Sequence, residues 1–463
     1  MKSLNESNVH KCRNVREKLE LHLARDPRKV VILDDDPTGT QTVKDVPVLT
    51  TWDKDLLIEE FRNDRKAFFI LTNTRAFSEN EAKRINREIV EYLDDVSRMT
   101  SKDYVLISRG DSTLRGHFPH ELEDLWTDGL HRFDGILFYP FFEEGKRYTS
   151  EDIHYVEEEG KWTPVSETAF AKDTTFGFKC SNLKDYIAEK TGGVTRIEEI
   201  QSISLEDIRI GGADAVASKL KSLKNNQYCV INSTEFSDAI IVALAVARCE
   251  AEGKRYMIRS AASFVKARLG IFENTLISGE DLKVNDQSKA GIIFIGSHVP
   301  KTTMQLNYLL ENSELASIEV NVVALLDEKS REQTIDDYAK QIDAYLQDKK
   351  DVVVFTSRSV VAFDNLEENL KISVSISEGL IGIARRIQVA PRYVISKGGI
   401  TSSDMATRGL NIQRAMVQGQ IIPGVPVWLT EKDSKFPDLS FVVFPGNVGE
   451  KSSLCDAYEI ISK

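Results

Sequence analysis

Residues 30–43 read VVILDDDPTGTQTV. Four apolar, mostly β-branched residues run straight into three acids and a Pro-Thr-Gly turn. A short apolar run without polar alternation suits a strand covered on both faces, as in a parallel sheet. The turn after it then lies at the carboxyl end of the strand, where open α/β sheets bind ligands. Three adjacent carboxylates repel one another, so stability does not explain them. Asp34, Asp35 and Asp36 read as a nucleophile, a metal site, a substrate clamp or a plain polar turn, which Asp, Pro and Gly favour anyway.

The same kind of run recurs at 67–72 (AFFILT), 104–108 (YVLIS), 135–139 (GILFY) and 228–232 (YCVIN). A second series follows at 291–296 (GIIFIG), 318–323 (IEVNVV), 352–356 (VVVFT), 393–396 (YVIS) and 441–444 (FVVF). Amphipathic stretches separate many of them, such as 78–95, 237–253 and 331–350. Alternation of this kind predicts an α/β fold of two domains, each a largely parallel sheet flanked by helices. The polar segment SGEDLKVNDQSKA (278–290) is the expected linker. The expected division is 1–27 as a helical extension, 28–285 as the first domain and 286–463 as the second. Residues 140–203, rich in aromatics and acids, read as an insertion or lid on the first domain.

The chain has 463 residues, beyond one hydrophobic core, and a formal charge of −12. That balance argues against a nucleic-acid binder, which needs a basic face. No apolar run approaches a membrane span, and the N-terminal residues carry no apolar signal core. Five scattered cysteines without a CxxC suit reduced thiols, and a cytoplasmic location is expected. The seven histidines include no HExxH.

Two more strand-end clusters lie in the first half. SRGDSTLRGHFP (108–119) places Arg109 and Arg115 around Asp111, Ser112 and Thr113; Arg75 ends AFFILTNTR. Guanidinium forks suit a carboxylate or phosphate, and hydroxyls with an acid suit a polyol. Three such clusters at strand ends fit one pocket for a small hydroxylated anion. In the second half, IGSHVPKTT (295–303), SKGGITSSD (396–404) and FPGNVG (444–449) are Gly-containing turns after strands. Such turns let backbone N–H groups approach phosphates, so a nucleotide site is expected there. No Walker or GxGxxG motif is present.

Asp34-x-Asp36-x-Thr38 also matches the first motif of haloacid-dehalogenase-type phosphatases, with Asp34 as nucleophile and Asp36 as acid/base. That chemistry wants a later GDxxxD for Mg²⁺. Gly110-Asp111 is instead followed by Ser112, Thr113, Leu114 and Arg115, an arginine where a carboxylate is needed.

Together, Asp35-Asp36-Pro37-Thr38-Gly39, the intact DSTLRG of 111–116, GSHVPKTT, TSR (356–358), KGGITSSD and PGNVG resemble the four-carbon acid sugar kinase family. The resemblance runs from about residue 30 to the C-terminus. It implies an active site in an interdomain cleft and transfer of the γ-phosphoryl of ATP, with Mg²⁺, to the terminal hydroxyl of a threonate, erythronate or 3-oxo-tetronate. Carried over, Asp35, Asp36, Arg75, Asp111, Ser112, Thr113, Leu114 and Arg115 contact the acid. Ser297, Gly398, Gly399, Ile400, Thr401 and Gly446 contact ATP. Arg75 and Arg115 are expected to hold the substrate carboxylate. Asp36 or Asp111 serves as base, Asp36 first, because a neighbouring carboxylate raises its pKa. Metal ligands, the role of Asp34 and the oligomeric state, including a homo-oligomer, are left open. The competing readings are the phosphatase and a non-catalytic nucleotide-binding sugar-acid sensor.

Overall fold

The computed structural model describes residues 6–123, 125, 133–273, 276–282, 288, 290–296, 299–327, 329–357, 366–446 and 448–463. The fold is mixed α/β. The chain divides into two compact units: Met1–Gly39 with Trp52–Glu273, and Thr40–Thr51 with Asn274–Lys463.

In the first unit a parallel sheet runs in the order Ala67–Leu71, Lys29–Asp34, Tyr104–Arg109, Tyr256–Ser260, Gly135–Tyr139, Gln227–Ile231, Gln201–Ile203. The opening strand lies between its two partners, with Asp34 level with Leu71 on one side and Arg109 on the other. All its residues are buried, as the unbroken apolar run requires. Helix Glu79–Thr100 starts where Ser78 accepts from the Glu81 N–H, and it buries Ala82, Ile85, Ile89, Leu93 and Val96 at helical spacing. The N-terminal helix Glu6–Arg25 packs on Phe236–Ala251, and its Leu19 is fully buried.

The 140–203 segment carries its own antiparallel sheet, Arg147–Ser150, Ile153–Glu158 and Lys161–Pro164. It is tied down rather than loose: the Thr149 N–H donates to the Ser233 carbonyl at 2.9 Å and the His154 N–H to the Ser181 carbonyl at 2.8 Å. The end of the segment, Gln201–Ile203, joins the main sheet as an edge strand.

The second unit has a mixed sheet. Ala316–Val320, Val352–Thr356, Ile292–Ile295, Tyr393–Lys397 and Ser440–Phe444 are parallel neighbours in that order. Val425–Thr430, Arg414–Ile422 and Pro47–Leu49 extend it antiparallel. The run IEVNVV splits at Asn321, whose side chain caps the short helix Val322–Leu326. Residues 40–51 also depart from the expected division. Instead of staying with the first domain, they supply the Pro47–Leu49 strand, and Thr40 accepts a 2.9 Å hydrogen bond from Trp428 Nε1 inside the second unit.

Candidate functional site

Three neighbouring parallel strands end on one edge of the first sheet. They deliver Asp34 to Asp36, the Thr72–Arg75 turn, and Arg109 to Arg115. The backbone joins these turns: the Asp35 N–H donates to the Arg109 carbonyl at 3.3 Å, and the Arg75 N–H to the Asp35 carbonyl at 3.4 Å.

Arg75 is the hub. Its guanidinium lies 2.8 Å from Asp36 Oδ2, 3.4 Å from Asp35 Oδ1 and 3.7 Å from Asp111 Oδ2. Arg115 Nε donates to Asp111 Oδ2 at 2.7 Å, and the Thr113 hydroxyl donates to the same oxygen. Deeper in, Arg109 faces Asp34 at 3.3 Å and Asp35 at 3.8 Å. Arg259, fully buried, pairs with Glu121 at 3.0 Å. Five carboxyls therefore face four guanidinium groups, which is how a buried acidic cluster becomes tolerable.

The three consecutive acids differ sharply. Asp34 is 1% exposed and faces Arg109, yet burial pushes its carboxyl up to about 8. A Cβ on Gly39 would come within 1.8 Å of its Oδ2, so the turn closes over Asp34 only because residue 39 is glycine. Burial also raises Asp35, to about 6, and neither of its oxygens receives a hydrogen bond. Asp36 goes the other way: burial opposes its charge, but Arg75 and Thr38 together hold it below the usual carboxylate range. The expected reason for ranking Asp36 as base thus fails, since arginine outweighs the carboxylate beside it. Asp111 is held low as well, by Arg115 and Arg75 against the cost of burial. Asp34, raised to about 8 and sealed under Gly39, does not fit the phosphatase nucleophile, which must be ionised.

The DSTLR turn is held from behind. His154 Nε2 lies 2.7 Å from the Ser112 carbonyl, and the Tyr186 hydroxyl donates to the Leu114 carbonyl at 2.8 Å. Burial pushes the His154 imidazole down to about 4, so it bonds as a neutral ring. Leu114 has φ 71° and a fully buried side chain. At the open side, the Arg115 guanidinium lies 5.0 Å from the Phe170 ring centroid and that of Arg147 5.6 Å from the same ring.

In the second unit, strands Tyr393–Lys397 and Ser440–Phe444 end side by side. Gly398 has φ 123° and donates its N–H to the Phe444 carbonyl at 2.8 Å; helix Gly399–Asp404 follows, holding Ile400 and Thr401. A Cβ on Gly296 would meet Thr401 Oγ1 at 2.5 Å, so strand Ile292–Ile295 also ends here. Lys397, fully buried, donates to the Pro445 carbonyl at 2.6 Å and the Gly446 carbonyl at 3.2 Å; burial pulls its amine down to about 7. Gly398, Gly399, Thr401 and Gly446 are thus brought together, whereas Ser297 lies outside the described residues. Among the described residues no three His, Cys, Asp or Glu side chains are placed to hold a metal. The first unit's acids are turned onto arginines and do not form a cation cage.

Sequence reasoning missed Glu121, Arg147, Arg259 and Lys397 as parts of these sites. Arg259 did leave a signal, being a charge inside an apolar strand, and Lys397 ends one at the head of KGGITSSD.

A family described as the sugar-binding N-terminal domain matches residues 30–268, and one described as the nucleotide-binding C-terminal domain matches residues 292–454. No curated protein matches the sequence. Among solved structures, a Salmonella typhimurium LT2 protein provisionally named as a tRNA synthase is similar, with TM-score 0.69 at 14% identity over 94% of this chain and 99% of that one. Haemophilus influenzae protein HI1011, of the DUF1537 family, gives TM-score 0.61 at 17% identity over 93% of this chain and 100% of the other. At such identities the likeness concerns the fold. Among the described residues no helix is long and apolar enough to cross a membrane.

Proposed function

Since the chain belongs to the family that joins a sugar-binding N-terminal domain to a nucleotide-binding C-terminal one, the four-carbon acid sugar kinase architecture, we propose that it is an ATP-dependent sugar-acid kinase. Its acceptor is the terminal hydroxyl of a four-carbon acid of the threonate, erythronate or 3-oxo-tetronate type. The observation that carries this reading is the cluster of Asp35, Asp36, Arg75, Asp111 and Arg115 on three adjacent strand ends.

Phosphoryl transfer asks for in-line positioning, charge neutralisation and a group that takes or orients the hydroxyl proton. Arg75 is occupied by three carboxylates, so it fixes the acids in place and leaves the substrate carboxylate to Arg115. Asp36 and Asp111 accept hydrogen bonds that orient them, and they receive substrate hydroxyls as fixed acceptors. The proton goes to Asp35, whose oxygens face Arg75 and Arg109 but accept no hydrogen bond. The glycine turns around Gly398 and Gly446 would cradle the triphosphate, and Mg²⁺ entering with the nucleotide would supply charge neutralisation there. A sensor that binds without reacting needs no carboxylate with a raised pKa, and Asp35, pushed up to about 6 by burial, favours the kinase over that reading.

The test is ATP consumption against a panel of tetronates, with the product mass measured. Stoichiometric ADP and a phosphorylated acid support the proposal. Binding of acid and nucleotide with no transfer across the whole panel supports the sensor.

A further inference from the structure

Among the described residues Arg147 makes no ion pair, and the carboxylates of Asp111 and Glu158 act on it only from a distance. Arg75, Arg109, Arg115 and Arg259 each face at least one carboxylate in the first unit. Arg147 instead donates to the carbonyls of Gly145 and, at 3.2 Å, Lys146. Its Nε is buried with no partner, and among the described residues no carboxylate lies within ion-pair distance. Burial works against its charge, but a guanidinium stays protonated in a protein. A half-buried guanidinium with no direct ion pair is costly, and a bound anion in contact with it lowers that cost.

Its position is well defined. The Arg147 N–H donates to the Phe142 carbonyl at 2.8 Å, and the Arg147 carbonyl accepts the return bond from the Phe142 N–H at 3.0 Å. Two residues on, the Thr149 hydroxyl lies 2.9 Å from His154 Nδ1, and His154 reaches the Ser112 carbonyl. The strand that carries Arg147 is therefore fixed to the DSTLR turn that carries Arg115. Both guanidinium groups rest against the Phe170 ring, which attracts cations through its face and takes none of their N–H groups.

We infer that Arg147 is a second guanidinium of the carboxylate site for the sugar acid, acting beside Arg115 against the shared Phe170 ring. The assignment rests on the sugar-acid reading above. It makes the insertion a determinant of specificity: a carboxylate supplies the missing charge and two planar acceptors, whereas a neutral polyol supplies neither.

Calorimetric titration of the full chain with D-threonate, D-erythronate and the neutral polyol threitol tests it, with thermal midpoints read for Arg147→Ala and Arg147→Lys. Arg147→Ala should weaken binding of the acids about 10- to 100-fold, the value of a charge-assisted hydrogen bond, with little change for threitol or ATP. Arg147→Lys, which keeps the charge and loses the fork, should fall between. In turnover the loss should appear in KM for the acid rather than in kcat. Acid binding by Arg147→Ala within about twofold of the unaltered protein overturns the assignment. Equal weakening of threitol and threonate, or no binding of either acid by the unaltered protein, also overturns it. Acid binding that depends on Arg147 without any phosphorylated product leaves the assignment standing and removes the kinase reading instead.

Discussion

Asp35 sets the expected pH dependence of the site. It is faced by Arg75 and Arg109, which lower its pKa, and by Glu121 and Asp36, which raise it; burial outweighs them and leaves it at about 6. A base must be ionised, so kcat/KM for the acid should rise with pH through about 6 and level off above. A flat profile over that range removes Asp35 from the role. Asp35→Asn should cut turnover about 10²- to 10⁴-fold while ATP affinity is kept. The same change should stabilise the fold. A carboxyl raised in the folded state favours its protonated form, so stability is lost as pH climbs from the ordinary carboxylate range to about 6. Asparagine removes that loss, and thermal midpoints above pH 6 should show a gain. The acidic triplet was legible as a site from the sequence alone. Which acid is raised and which is held low was not, because that depends on arginines delivered by other strands.

At the scale of elements, two devices position the turns. The buried Arg259 on strand Tyr256–Ser260 reaches Glu121 and, at 3.4 Å, the Asp111 carbonyl. Arg259→Met strands a buried carboxylate and should cost about 3–5 kcal/mol in chemical denaturation. Adding Glu121→Leu should recover much of that loss, since two apolar groups of similar shape replace the pair. Gly398 has a φ of 123° that side chains avoid. Gly398→Ala should cost about 1–3 kcal/mol and weaken ATP binding, because the strain falls on the turn proposed to hold phosphate. Most parallel strands were legible as unbroken apolar runs, but Tyr256–Ser260, broken by Arg259, and the short Gln201–Ile203 were not. The antiparallel strands Arg414–Ile422 and Val425–Thr430 were not, since RAMVQGQIIPGVPVWLT mixes Gln, Gly and Pro into the pattern. The Pro423-Gly424 pair, with Gly424 at φ 80°, was the available hairpin signal.

For the whole molecule, the proposed ligands address different residues. ATP at a hundred times its Kd should add about 2.7 kcal/mol of stability. In hydrogen exchange it should protect Gly398–Asp404 and Phe444–Gly446, while threonate protects Asp34–Gly39 and Arg109–Gly116. The same protection pattern from both ligands counts against separate sugar and nucleotide sites. The α/β class was legible from the alternation of runs and amphipathic stretches. The excursion of residues 40–51 was not, because its cause lies in Trp428 and strand Arg414–Ile422, far along the chain. That excursion constrains biosynthesis. Thr40–Thr51 leave the ribosome before residues 52–273 have been made, and their partner strand Arg414–Ile422 comes almost last. The buried Thr40, Thr42, Val43, Val46 and Val48 must wait without their neighbours while the first unit folds around them in sequence. A fragment starting at residue 274 would leave that strand without its Pro47–Leu49 neighbour, an invitation to pair with another copy. The second unit can be completed only by a chain that still remembers its own beginning.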